Sequence, residues 1–404
     1  MKVLPYDEHN PQSIEAYAKK LIDCTFLEVL RKNEINTSII RDVEIKHGDK
    51  NFKGGLGTLI EEIYFGLKAN NKSEPDFEKA GVELKVTPFD VSKNNELRAR
   101  ERLVLSMINY ASSIEENLYE SHLWQKCKLL LLIYYWRNPQ IYDNLLHSIK
   151  FVSLFTPSEI DLIIIENDYK IIIQKVMDGK AEEISESDTF YLGACTKGAT
   201  AEKSIVRQWY PPHTPAKKRA FCYKQSYMTY VLNTYIAKKP EDYESLIEDI
   251  NQLKGHTFSE FIISKINKYI GKSDEELCKI FNRSYNNNKA QWTDLAYRML
   301  GIKSNRAAEF RKSNITVKVI RLEENGKMKE NMSFPPFKYM EIIDEDWENS
   351  TLHNYFDETK FFFVVFKKRR NMYYLQGCQM WNMPYSNLDI IVREGWQKVV
   401  NTIK

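Results

Sequence analysis

Two carboxylates and a lysine stand close together early in the chain: Pro75-Asp76, six intervening residues, then Glu83-Leu84-Lys85. The segment GVELKVTPF at 81–89 alternates Val82, Leu84 and Val86 against Glu83 and Lys85, the pattern of a half-buried strand. On such a strand Glu83 and Lys85 share one face. Asp76 returns towards them across a turn at Gly81. Asp76 and Glu83, with the Leu84 carbonyl and phosphate oxygens, give a hard oxygen site suited to Mg²⁺. A cation there neutralises charge on a phosphate and acidifies water. Lys85 could orient or deprotonate that water, or stabilise the transition state. Glu61, on the preceding helix, offers a further carboxylate, with Lys53 ahead of it. The plain alternative is an ELK tripeptide on a solvated strand face, with Glu61 and Glu62 as ordinary exposed helix positions.

Several elements must position these groups. Periodicity predicts a helix over 12–32 and another over 56–66, opened by the glycine-rich KGGLG at 53–57. The apolar runs at 128–136 and 160–165 read as buried strands, 168–176 as a helix, 190–198 as a strand entering a loop, and 225–237 as a helix. A polar stretch with Pro240, at 238–255, reads as a linker. The length of 404 residues suits two domains. The net charge of +3 is mildly basic, so any contact with nucleic acid must come from a local cluster. One exists: between 197 and 224, Lys197, Lys203, Arg207, Lys217, Lys218, Arg219 and Lys224 are opposed only by Glu202. Such a stretch, with Trp209 and Tyr210, suits a loop tracking phosphates, or else a solvated basic loop. The six cysteines form no CxxC pair, which argues against a zinc site or a disulfide framework. The N-terminus has no signal-like apolar core, and the longest apolar run, Leu129–Trp136, is too short to span a membrane, so a cytoplasmic location is expected.

Taken together, KGGLGTLIEEIYFG and SEPDFEKAGVELKVTPF closely resemble the MutH and Sau3AI family of GATC-specific DNA endonucleases, which includes a mismatch-repair nicking enzyme and type II restriction enzymes. The resemblance implies an α/β fold of the restriction-endonuclease, PD-(D/E)xK type, with a mixed central sheet flanked by helices. It implies catalysis by Asp76, Glu83 and Lys85, assisted by Glu61 and by Lys126 in ESHLWQKCKLLLL, with Mg²⁺ at Asp76, Glu83 and Glu61. It also implies DNA contacts from Lys53, from Lys197 in FYLGACTKGA, and from KRAFCYKQSYMT. There the family's DNA-contacting tyrosine falls on Cys222, beside Tyr223, and an arginine of the nicking enzyme falls on Cys195.

The second half repeats the first. AEFRKSNITVKVI at 308–320 aligns without a gap with PDFEKAGVELKVT at 75–87, KFFFVVF at 360–366 with KLLLLIY at 128–134, and SNLDIIVREGWQKVV with SEIDLIIIENDYKIII. Asp76 becomes Glu309, Glu83 becomes Thr316, Lys85 is kept as Lys318, and the Glu61 position falls near Tyr297. The expected organisation is a catalytic domain at 1–237, a linker at 238–255, and a degenerate domain at 256–404 that is regulatory, allosteric or autoinhibitory. No counterpart of the 190–224 segment fits before Lys404, so the second copy reads as incomplete. The expected activity is that of a type II restriction endonuclease on double-stranded DNA containing GATC, with DNA-dependent self-association. The alternatives are a mismatch-repair nickase and a non-catalytic DNA-binding protein.

Overall fold

The computed structural model describes residues 4–33, 55–67, 74–92, 95–197, 204–239, 243–286 and 288–404. The chain forms two compact units: Met1–Ser158, Ile173–Glu182 and Cys195–Glu241 make the first, and Glu159–Ile172, Glu183–Ala194 and Asp242–Lys404 the second. The division thus falls at several places, only one of them inside the stretch 238–255. Nor is the rest of that stretch a free linker. Leu246, Ile247 and Leu253 are buried, and the N–H groups of Leu246 and Ile247 donate to the Glu309 carboxylate. Among the described residues no helix is long and apolar enough to cross a membrane.

The first unit is built on a mixed sheet. Strand β1 (Glu83–Val91) lies between the short antiparallel β2 (Leu97–Ala99) and the parallel β4 (Leu130–Trp136), and β4 pairs antiparallel with β5 (Ser148–Phe155). Leu130 to Tyr134 are fully buried, as a central strand covered on both faces requires. Helices Pro11–Ala18, Phe26–Lys32 and Gly55–Leu59 supply Ile14, Phe26 and Leu59 to a core shared with Leu131, Ile133 and Ile149. In the same unit β3 (Leu103–Met107) pairs antiparallel with β9 (Arg219–Tyr223), and β7 (Ile205–Arg207) pairs with β8 (Pro215–Lys217) as a small antiparallel ribbon; the strand β6 (Leu192–Thr196) lies across the division of the chain at Ala194.

In the second unit β10 (Ile315–Leu322) is parallel to β11 (Lys360–Arg369), which is antiparallel to β12 (Met372–Trp381). This is the order and sense of β1, β4 and β5. The left-handed turn before the first strand recurs where the gapless alignment puts it, at Gly81 (φ 67°) and Asn314 (φ 52°). The next strand slides by one residue: Glu83 faces Leu130, whereas Thr316 faces Phe361. The repeat also begins earlier than the sequence suggested. Asp23 N–H donates to Ile149 O and Ile149 N–H to Cys24 O; Gly271 N–H donates to Leu375 O and Leu375 N–H to Lys272 O. Each pairing precedes a helix with a reciprocal cap, Thr25 with Glu28 and Ser273 with Glu276. This strand-like contact, with Asp23 at φ 65°, also breaks the helix expected over 12–32.

One element is of the wrong type in the sequence reading. Residues 160–165 are not a strand but part of the helix Glu159–Met177. Its buried positions, Asp161, Ile164, Ile165, Asp168, Tyr169, Ile172, Ile173 and Val176, follow helical spacing. Two of them are aspartates, which hide the period from a hydropathy reading. Asp161 pairs with Lys312 at 2.7 Å. Asp168 accepts the N–H groups of Phe190, Tyr191 and Leu192.

Candidate active site

Asp76, Glu83 and Lys85 meet at the start of β1. Phe77 N–H donates to Val82 O at 2.9 Å, closing the turn through Gly81. That closure brings the two carboxylates into a reciprocal clasp. Leu84 N–H donates to Asp76 Oδ2 at 2.9 Å, and Asp76 N–H donates to Glu83 Oε2 at 3.2 Å. Lys85, on the same strand face as Glu83, donates to Glu83 Oε1 at 2.7 Å. Lys126 Nζ lies 3.5 Å from the same oxygen. It is carried by the helix His122–Cys127, which Ser121 caps immediately before β4.

The electrostatics follow from burial. Glu83 is pushed above the usual carboxylate range by burial, with Asp76 adding to the rise and the two lysines opposing it. Burial alone would lower the Lys85 pKa, but Glu83 and its neighbours outweigh it and the net shift is upward, so the ammonium is held charged. Burial takes the Cys127 thiol up to about 12, which makes it a packing group and no nucleophile.

Glu61 sits on a π-helical turn, Ile60–Tyr64. Its carboxyl is raised by burial and then by the charges of Asp76, Glu62 and Glu83. It does not complete a cage with Asp76 and Glu83: among the described residues no three acidic, histidine or cysteine side chains gather closely enough to enclose a metal ion. The remaining pair fits Mg²⁺ nonetheless, because that ion is commonly held by one or two carboxylates, with water and substrate oxygens filling its other positions.

The basic segment is brought together only in part. Lys197 N–H donates to Lys218 O at 2.8 Å, which sets Lys197 beside Lys217, Lys218 and Arg219. Arg207 and Lys217 are exposed at the ends of the β7–β8 ribbon. Lys224 differs: it is 4% exposed at the start of the helix Gln225–Val231, so a surface phosphate contact there is not supported. Cys195, Cys222 and Tyr223 are buried as well, and Cys195 and Cys222 pack with Ala220. A direct DNA contact at the family's tyrosine position is therefore also not supported. Lys53, Glu202 and Lys203 lie outside the described residues.

The second copy keeps the scaffold and loses the arrangement. Glu309, at the Asp76 position, is buried and turned away; it accepts from Ser245 Oγ and Leu246 N–H, both at 2.9 Å. Thr316 carries no charge. Lys318 donates to the Ser333 carbonyl at 3.3 Å.

The type II restriction enzyme Sau3AI of Staphylococcus aureus is 32% identical over 391 residues, which is 92% of this chain and 78% of that enzyme. The chain belongs to the MutH and Sau3AI family. The family profile described as DNA mismatch repair enzyme MutH matches residues 65–168, a span that includes Asp76, Glu83, Lys85 and Lys126. The DNA mismatch repair protein MutH of Serratia proteamaculans (strain 568) is 34% identical over 89 residues, 22% of this chain and 35% of that protein. The likeness to Sau3AI, at that coverage, takes in most of both units. The MutH profile falls in the half that holds the carboxylate clasp.

Proposed function

We propose that this type II restriction endonuclease hydrolyses phosphodiester bonds in both strands of GATC-containing DNA, with Mg²⁺ held by Asp76 and Glu83 and Lys85 beside the scissile phosphate. The observation that carries the reading is the clasp: the Asp76 carboxylate held by Leu84 N–H, the Glu83 carboxylate held by Asp76 N–H, and two ammonium groups on one Glu83 oxygen. When bound, the cation would supply positive charge to the phosphate and lower the pKa of water. Lys85 acts as a charged hydrogen-bond donor, orienting the attacking water and stabilising the extra negative charge of the transition state. Lys126 adds a second positive charge to the phosphate's surroundings. Glu61 contributes negative potential at the rim. Lys197, Arg207, Lys217, Lys218 and Arg219 hold the duplex, mainly through its backbone.

In this reading both units derive from one restriction-endonuclease-like domain, and the second regulates the first. Each chain has one working centre, so double-strand cleavage needs a second chain, which is the basis for DNA-dependent self-association. The single carboxylate pair also favours one rival, a GATC nickase. Incubating supercoiled plasmid with the protein and Mg²⁺ separates the two: linear product supports double-strand cleavage, and a lasting open circle supports nicking. Run-off sequencing of the ends reads the site. Full activity in Asp76→Ala or Lys85→Ala would defeat the assignment.

A further inference from the structure

The opposite end of the same sheet holds a second cluster of charge. It lies about 20 Å from Glu83, six residues along β1 at strand rise. There Phe89 faces Trp136 across the parallel pair β1–β4. The chain leaves the sheet with an arginine on each side of β1: Arg100 N–H donates to Pro88 O, and Arg137 N–H donates to Phe89 O. Both arginines line a cavity of about 140 Å³, together with Asn138, Pro139, Ile141, Tyr142, Asn144 and His147. Ligands of open α/β sheets favour the carboxyl ends of parallel strands.

His147 is 1% exposed and stacks on Tyr135 with ring centroids 6.0 Å apart. Its Nδ1 has no hydrogen-bond partner among the described residues, although buried polar atoms nearly always have one. Burial, then Arg137, depress its pKa; Asp143 opposes them and Arg100 reinforces them. Asp90 is committed to Arg100 Nη1, at 3.0 and 3.2 Å.

The second copy shows what such a cluster takes. By the registers above, Arg137 corresponds to Lys368, His147 to Tyr373 and Asp90 to Glu323. In that copy Glu323 accepts from Tyr373 OH at 3.0 Å and lies 3.5 Å from Lys368 Nζ. An internal carboxylate thus serves the two groups whose counterparts, Arg137 and His147, are left with a cavity in the first copy. The lining is mixed, with Pro139 and Ile141 beside the polar groups; Arg100 is shared with Asp90, and Arg137 adds a second guanidinium that disfavours a cation. Arginine forks match phosphate oxygens in pairs.

We propose that this cavity binds a phosphate group, with Arg137 and Arg100 supplying the charge and His147 and Tyr142 the further hydrogen bonds. The proposal does not depend on the nuclease reading. The phosphate could belong to a DNA backbone or be free inorganic phosphate, and the test distinguishes them. The full chain, without divalent metal, is titrated with inorganic phosphate by calorimetry while the His147 ring is followed by NMR, and separately with a short duplex lacking GATC. For free phosphate, saturable binding should raise the His147 titration midpoint, and Arg137→Gln should weaken binding at least about tenfold. For a backbone phosphate, Arg137→Gln should weaken duplex binding and reduce its salt slope by about one. Either loss supports the site and names its source. Circular dichroism checks that Arg137→Gln is folded, and Arg100→Gln provides a second variant. A His147 resonance indifferent to phosphate, with duplex binding unchanged in both variants, would overturn the proposal.

Discussion

A left-handed residue precedes the first strand in both copies, at Gly81 and Asn314, and the carboxylate five residues before it does opposite things. Asp76 points across its turn at Leu84 N–H, and its own N–H donates to Glu83, the carboxylate that Lys85 and Lys126 reach. Glu309, one methylene longer, points the other way and ties down Ser245, Leu246 and Ile247. The residues around it wind into a helix, Ala308–Ser313, where the first copy has a turn. With Thr316 in place of Glu83, nothing draws the acid back towards the strand. A change of reach and the loss of one charge turn a paired-carboxylate corner into a structural clamp without altering the strand order.

The most severe way to break this comparison is to exchange the roles. Asp76→Asn and Lys85→Ala should each lower plasmid cleavage by about a thousandfold, while Lys318→Ala stays within about twofold of wild type. Glu309→Asp with Thr316→Glu, placed on Asp76→Ala, should remain inactive; recovered cleavage would show that the second copy lost only its acids. A smaller but still large effect is expected at the buried pair Asp161–Lys312, whose side chains are 0% and 7% exposed. Lys312→Ala should cost about 3–5 kcal/mol in urea unfolding, because it removes the ammonium that balances a buried carboxylate. Lys150→Ala, in the exposed pair with Asp23, should cost less than about 1 kcal/mol. Glu309→Ala comes next, at about 2–3 kcal/mol of stability with cleavage retained, since charged hydrogen bonds and buried N–H groups are lost together.

The smallest effect depends on pH. His147 titrates below its ordinary value, so as pH falls the unfolded ring takes up a proton before the folded one. Its contribution to stability should be complete above about pH 6.5 and decline as pH falls from there through the folded value. His147→Asn should flatten that part of the stability profile. Tyr373→Phe, at the matching place in the second copy, should leave its shape unchanged.

The meeting of Asp76, Glu83 and Lys85 was legible because strand alternation fixes a face, and two residues on one face must be neighbours. The repeat was legible only where side chains had been kept. Its N-terminal part survives as backbone pairing at Cys24–Ile149 and Lys272–Leu375, which no residue type specifies. The Glu159–Met177 helix was misread because short apolar runs carry no period of their own. A count of basic residues says nothing about burial, so Lys224 looked like Lys217. Arg100, Arg137 and His147 are too far apart in sequence to be read as one site.

The alternation of the chain between its two units has a practical outcome. A protease nick or gene truncation anywhere in 238–255 frees neither unit intact. The N-terminal fragment would carry Glu159–Ile172 and Glu183–Ala194 away from the remainder of their own unit. Asp161 would then lack Lys312, and Phe190 would lose the Phe258 ring that it meets at 5.1 Å. Such fragments should be poorly soluble apart and recover when co-expressed.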